Sequence, residues 1–166
     1  TVAARRIGMP VFFFYNHRNP GLTDISAAYI RVLLNLGHKP EELCDRFEPD
    51  FDEVRVHPGL EPQDGDFVIP KHRGCAFTGT DFELMLRTLQ RESVVLVGCS
   101  TDWCLEATAW TATNRDYYVA VAEDCTRSPR PEGHTAALRQ FRALGLDVTT
   151  SEQLLQLWSR IDVAEP

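Results

Sequence analysis

The sequence predicts an α/β fold in which a mainly parallel β-sheet is covered by helices. Two observations support this class. Apolar runs alternate along the chain with amphipathic stretches, and several runs are apolar on both faces, as in strands buried between helices. The length of 166 residues suits one domain, and a hydrophobic content of 43% is enough for a core. Without an internal repeat or a linker in the sequence, we expect residues 1–166 to form a single domain.

Five apolar runs are predicted as strands. The run MPVFFFYNH is rich in aromatic residues, and the run DFVIPKH follows the turn signal PQDGD. The clearest is SVVLVGCS, in which Gly98 ends the apolar run. The five predicted strands cover residues 9–17, 66–72, 93–100, 117–125 and 146–150.

Amphipathic stretches between these runs are predicted as helices. In TDFELMLRTLQR the apolar residues recur at helical spacing, and Thr80 or Asp81 can cap the start. Ser151 is the predicted cap of the last helix, and residues 1–8 resemble the last turns of a helix that leads into the first strand. The segment 19–65 is the least regular. The predicted helices cover residues 25–36, 80–91, 102–116, 131–146 and 151–161.

Composition and charge exclude several classes of protein. The net charge of −7 disfavours a general nucleic-acid binder, and no apolar run reaches the roughly 18 residues that span a membrane. Five cysteines without a secretory signal pattern favour reduced thiols in the cytoplasm. The second half of the sequence has no CxxC pair, no HExxH motif and no histidine cluster at ligand spacing, so we expect no metal and no other cofactor.

The stretch LVGCSTDWCLEAT carries the first chemical signal. Thr101 or Asp102 can cap the helix that follows the strand, which puts Cys104 in the first helical turn. Amide groups at a helix start favour a thiolate and can hold an oxyanion. Cys104 is therefore a candidate nucleophile, and the alternative is a small buried hydrophobic residue. We expect Cys99 to be structural, because its spacing from Cys104 is not that of a redox pair.

Lys71 is the second signal, because it also lies at the carboxyl end of a predicted strand, in PKHRGCAF. Ligands of open parallel sheets bind beyond these strand ends. A lysine beside a thiol favours the thiolate and can move protons, whereas a lone lysine at this position is more often solvated. The histidines His17, His57, His72 and His134 are scattered, and we interpret each as structural or exposed.

Three segments together resemble the isochorismatase-like cysteine hydrolases. They are PKHRGCAFTGTDFELMLR, VVLVGCSTDWCLEATAWTA and VAVAEDC, in the order and spacing of that family. The family includes isochorismatases, nicotinamidases, N-carbamoylsarcosine amidases, and ureidoacrylate and biuret hydrolases. The resemblance covers nearly the whole chain from Ala3 onward and implies a three-layer α/β/α sandwich.

The resemblance also implies roles for individual residues. Cys104 is then the nucleophile and Lys71 supports proton transfer, while a cis peptide bond precedes Ser100. The resemblance gives Asp124 a structural role and, since no DxHxxH motif is present, implies no metal. The amides of Ser100 and Cys104 then bind the oxyanion, and Asn16, Phe77 and Trp103 contact the substrate, with core packing as the alternative for Phe77 and Trp103.

The implied function is hydrolysis of a small amide, ureido or carbamoyl compound through a thioester intermediate. The alternatives are cleavage of a vinyl ether, as in isochorismatases, and a catalytically silent homologue that binds a small ligand or a partner. A vinyl-ether reaction needs no thiol nucleophile, so Cys104 favours the amidase. The family also implies a homo-oligomer.

The family's catalytic aspartate lies at the end of a first strand that precedes the helix at residues 1–8. No aspartate in this sequence matches it, since Asp24 and Asp66 lie in other contexts. We therefore expect a sheet without its first strand, in a chain that is part of a longer protein or receives that strand from another segment. Without this strand the sheet would present unpaired edges.

Overall fold

The structure is a computed structural model that describes residues 1–40 and 57–161. Residues 41–56, which belong to the irregular segment, and residues 162–166 lie outside the described part. The strands are β1 (Phe12–Asn16), β2 (Phe67–Lys71), β3 (Ser93–Cys99), β4 (Tyr118–Arg127) and β5 (Asp147–Thr149). The helices are α1 (Val2–Arg6), α2 (Ala27–Asn35), α3 (Phe82–Thr88), α4 (Glu106–Thr113), α5 (Pro131–Ala143) and α6 (Ser151–Trp158). The described residues also include a short 3₁₀ turn (Pro20–Leu22) and a π-helical turn (Thr101–Leu105).

All strand pairs are parallel, as predicted. One sheet pairs β1 with β2, from Phe12 opposite Phe67 to Asn16 opposite Lys71. The other has the order β3-β4-β5. The carboxyl ends of β1 and β2 therefore lie side by side, which places Asn16 next to Lys71.

The core confirms an α/β sandwich. One buried cluster joins α3, α4 and α5 to the strands and includes Phe82, Ala109 and Phe141. Val121 of β4 belongs to this cluster, whereas the next residue, Ala122, faces the other side of the sheet and is only 1% exposed. Since α6 also contacts β4, this helix covers the second face.

The two sheets are not hydrogen-bonded to each other, and an apolar slot separates β1 from β3. The slot is a cavity of about 410 Å³ with Phe12 and Phe14 on one wall and residues 93–97 on the other. Helices α1, α3 and α6 also contribute to its lining, with Leu86 from α3 and Trp158 from α6. This arrangement agrees with the expectation of a sheet that lacks one strand.

Two helix caps differ from the sequence prediction. Thr150, not Ser151, caps α6, in a capping box with Gln153, because the Ser151 hydroxyl is bonded to Asp124. Ser100 precedes the π-helical turn in place of the predicted caps Thr101 and Asp102. Both of those side chains are engaged by residues near the start of α5 instead.

Candidate active site

Lys71 is the centre of a polar cluster at the carboxyl ends of β1 and β2. Its side chain is buried, with a residue exposure of 6%. The ammonium Nζ donates to Asn16 Oδ1 at 2.7 Å and to the Arg73 carbonyl at 3.1 Å, and it lies 3.5 Å from Cys104 Sγ. The structure therefore brings together Lys71, Cys104 and Asn16, three residues selected from the sequence.

Cys104 lies in the π-helical turn Thr101–Leu105, which we call the Cys104 turn. Strand β3 ends just before it: Gly98 has a φ of +108°, which favours glycine, and the β3–β4 register shifts there. The Cys99–Ser100 peptide bond is cis, as the resemblance implies. The Ser100 carbonyl accepts hydrogen bonds from the Trp103 and Leu105 amides at 3.2 and 3.1 Å. The turn then continues into α4, which starts at Glu106.

Contacts to α4 tie the segment after Lys71 to the Cys104 turn. The Ala76 amide donates to Thr108 Oγ1 at 3.0 Å, and the Thr108 hydroxyl donates to the Cys104 carbonyl at 2.7 Å. One turn further along α4, Cys75 Sγ donates to Thr111 Oγ1 at 3.2 Å. The segment after Lys71 and the Cys104 turn are therefore both bonded to α4, which helps to hold them together.

Trp103 and Phe77, the two aromatic residues predicted to line the pocket, lie in different surroundings. The indole of Trp103 lies against the backbone of Gly74, where a Cβ would be 3.0 Å from Nε1. Phe77 is 5% exposed in the core, with ring centroids 4.9 Å from Phe82 and 5.9 Å from Tyr117. Core packing thus accounts for the observed contacts of Phe77, and substrate contact by either residue stays a prediction.

The residues beside Lys71 form a polar cluster that the sequence analysis missed. His72 Nδ1 lies 2.7 Å from Asp24 Oδ2, and the guanidinium of Arg73 stacks over the Tyr29 ring at 4.7 Å. Burial raises the pKa of the Asp24 carboxyl, but hydrogen bonds from the Asn19 amide and His72 outweigh it and hold that pKa below its usual value. The one signal available in the sequence was the position of His72 and Arg73 next to Lys71.

Asp124 has the structural position predicted for it. Its carboxylate accepts from the Ser151 amide at 2.8 Å and from the Ser151 hydroxyl at 2.5 Å. These hydrogen bonds lower the pKa of the Asp124 carboxyl. Asp124 therefore anchors the start of α6 to β4.

Residues 1–40 and 57–161 contain neither a cluster of metal ligands nor a helix that could span a membrane. We find there no group of three histidine, cysteine, aspartate or glutamate side chains that could hold a metal ion. In the same part of the chain, no helix is both long and apolar enough to cross a membrane.

Comparison with known sequences identifies a family. The family model described as the isochorismatase domain matches residues 2–153. Ureidoacrylate amidohydrolase RutB from Pseudomonas syringae pv. syringae is 28% identical over 136 residues, which cover 78% of this chain and 56% of that protein. The chain therefore spans little more than half the length of this curated relative.

Solved structures resemble the fold over most of the chain. N-carbamoylsarcosine amidase from Thermoplasma acidophilum is 28% identical, with a TM-score of 0.69, and the match covers 91% of this chain and 78% of that one. A cysteine hydrolase from Pseudomonas syringae pv. phaseolicola has a TM-score of 0.80 at 21% identity, over 95% of this chain and 76% of that one. At that identity the second likeness concerns the fold alone.

Proposed function

The chain belongs to the isochorismatase family, and we propose that it is a cysteine-dependent hydrolase of a small amide, ureido or carbamoyl compound. The observation that carries this proposal is the 3.5 Å separation of Lys71 Nζ and Cys104 Sγ at the carboxyl ends of the strands. Names of relatives support the reaction class, since one is a ureidoacrylate amidohydrolase and another an N-carbamoylsarcosine amidase.

In the proposed reaction the Cys104 thiolate attacks the substrate carbonyl carbon. The Lys71 ammonium stabilises the thiolate, because two of its N–H groups donate to Asn16 Oδ1 and the Arg73 carbonyl and the third is left to donate to sulfur. The amides of Ser100 and Cys104 hold the tetrahedral oxyanion. Its collapse breaks the C–N bond, and the leaving nitrogen takes a proton from the Lys71 ammonium or from the aspartate that the family resemblance implies. Water then hydrolyses the thioester, which releases the acid and restores the thiol.

We also propose that an extended segment of polypeptide fills the slot in the active protein. Both long walls of the slot are strand edges, and its lining is apolar. A segment parallel to β1 and β3 would end at the same sheet edge as Lys71 and Cys104. An aspartate at that end would be the catalytic aspartate that the family resemblance implies. In the described part of the chain, the three groups that Lys71 Nζ contacts do not include a carboxylate.

The hydrolase proposal is tested by ammonia release from nicotinamide, ureido acids, biuret, carbamoyl amino acids and maleamate. We expect release from at least one compound and a loss of roughly 1,000-fold or more in Cys104→Ala. Cys125→Ala is the control, since Cys125 is an exposed thiol outside the site. Full turnover in Cys104→Ala would overturn the proposal.

Alkylation by iodoacetamide near neutral pH separates an enzyme from a silent homologue. Cys99 and Cys125 are exposed, whereas Cys104 is partly buried. An activated Cys104 is expected to react faster than both exposed thiols, as followed by mass spectrometry of peptides. Labelling in the order of exposure would favour the silent homologue.

The slot is tested with synthetic peptides that carry five β-branched apolar residues followed by aspartate. We expect the peptide to raise Tm and turnover, and the same peptide with a central proline to do neither. A peptide with asparagine in place of aspartate should raise Tm alone. An unchanged Tm with saturating peptide contradicts filling of the slot. It does not affect the test of Cys104, which the ammonia assay provides.

A further inference from the structure

The Cys104 turn is also held from the side of α5. Thr101, the first residue of the turn, is fully buried, and its Oγ1 lies 2.9 Å from His134 Nδ1. Asp102 Oδ2 accepts a hydrogen bond from Arg130 Nε at 2.8 Å, one residue before α5 begins. The first two residues of the turn are thus bonded to residues at the start of another helix.

Gly133 makes the close approach of Asp102 possible. It is the third residue of α5, and glycine within a helix is less favourable than alanine. A glycine there is therefore explained best by a need for space. A Cβ built on Gly133 would lie 2.0 Å from Asp102 Oδ2 and 2.9 Å from Asp102 Cγ. The Asp102 side chain is 9% exposed there, and the start of a helix favours its negative charge.

We propose that Gly133 and His134 are positioning residues for Cys104, a role that rests on the proposed function for its catalytic consequence. Thr101 and Asp102 lie three and two residues before Cys104, within the same turn. A shift of either residue therefore moves Sγ relative to Lys71 Nζ, which is tied to a different segment by Asn16 and the Arg73 carbonyl. The start of α5 sets the position of the thiol without touching the substrate.

The main test is Gly133→Ala, with kcat, KM and the rate constant for alkylation of Cys104 as readouts. We expect kcat and the alkylation rate to fall about tenfold or more while KM stays near the wild-type value, because a displacement of about 1 Å can cost 100-fold. In an Asp102→Ala background the added Cβ no longer meets a carboxylate. There Gly133→Ala should change either rate less than about twofold.

One control and two His134 variants separate positioning from a general effect on α5. Glu132→Ala changes the exposed neighbour in the same helical turn and is expected to leave kcat and alkylation unchanged. His134→Leu removes the bond to Thr101 and should lower both rates about threefold. His134→Asn should restore them, since the asparagine amide can reach Thr101 Oγ1.

Each variant gives a result that either supports or contradicts the positioning role. A folded Gly133→Ala protein with wild-type kcat and alkylation rate would overturn the proposal, as would equal losses with and without the Asp102 carboxylate. If Gly133→Ala does not fold, the comparison of His134→Leu with His134→Asn decides. If the wild type releases no ammonia from any compound, the proposed function fails, and the alkylation rates still test the positioning role.

Discussion

The Cys104 turn and the slot both adjoin β3, and they are built in opposite ways. Each polar side chain considered in the turn is bonded to another element: Thr101 to His134, Asp102 to Arg130 and Cys104 to Lys71. The slot is bounded by apolar side chains and by two strand edges with no neighbouring strand in the described part of the chain. Polar contacts at the strand ends therefore hold the candidate site, whereas at the slot β1 and β3 are joined by no hydrogen bonds between strands.

Removal of the Lys71 ammonium is expected to have the largest effect and to act on turnover alone. Lys71→Met keeps the buried stem and removes the charge beside Cys104. We expect kcat to fall by about 100- to 10,000-fold, the usual range for a proton-transfer group, with little loss of stability because the buried charge is replaced by an apolar group. Ammonia release and urea unfolding measure the two quantities.

A parallel loss of stability and turnover in Lys71→Met would contradict the expectation that Lys71 acts on turnover alone. It would mean that the lysine chiefly holds β1, β2 and the Cys104 turn together. Asn16→Ala serves as the matched variant, because it removes the acceptor of the 2.7 Å bond and leaves the ammonium in place. We expect a smaller fall in kcat, of about tenfold.

Substitution of two leucines allows the packing beside the slot to be compared with that of the closed core. Both leucines belong to the main cluster, but Leu86 of α3 (2% exposed) also lines the slot, whereas Leu138 of α5 (6% exposed) does not. We expect Leu138→Ala to cost about 3–5 kcal/mol, because it leaves a closed cavity. Leu86→Ala should cost about 2 kcal/mol, mainly the lost transfer energy of the side chain, because an open cavity is already present beside it.

Urea unfolding of the two variants checks this difference. Equal costs would indicate that the slot is packed as tightly as the core in solution. In that case a filling peptide should leave Tm unchanged as well. If the slot is open in solution, the peptide should instead raise the Tm of the wild type, because a ligand that binds only the folded state stabilises it.

Local patterns in the sequence predicted the strands and most of the helices of the described residues and put Lys71 and Cys104 at strand ends, whereas the family resemblance was needed to favour a catalytic role for the two. Apolar runs define buried strands, and parallel strands bring their carboxyl ends to one edge, so two residues far apart in sequence could be placed together. The errors concern side chains with distant partners. Thr101 and Ser151 are of residue types that commonly cap helices, yet the Thr101 side chain is hydrogen-bonded to His134 and the Ser151 side chain to Asp124. A local pattern contains no information about such partners.

The carboxylate of Asp102 makes the stability of the turn dependent on pH. Burial raises the pKa of Asp102, but hydrogen bonds from Arg130 and Ser128 outweigh it and hold that pKa below its usual value. Because the folded pKa is the lower one, the ionised group stabilises the fold above the ordinary carboxyl pKa. This contribution is lost as the pH falls through the folded value.

Asp102→Asn tests this dependence. We expect it to lower the free energy of unfolding by about 1.5–3 kcal/mol near pH 7, the usual worth of hydrogen bonds to a charged group, and by less near pH 3. Urea unfolding at the two pH values gives the difference. Asp64→Asn, at an exposed position, is the control, and a cost for Asp102→Asn that is independent of pH would assign the loss to packing.

The smallest expected effect concerns the cap of α6, the helix that contributes Trp158 to the slot. The Thr150 hydroxyl accepts from the Gln153 amide, and the Gln153 side chain accepts from the Thr150 amide at 3.1 Å. Thr150→Ala should cost about 0.5–1 kcal/mol, at the low end for a cap, because Asp124 also holds this helix start. Thr150→Ser keeps the hydroxyl and should cost less. Equal losses in thermal unfolding would show that the threonine methyl group, and not the cap, stabilises this side of the slot.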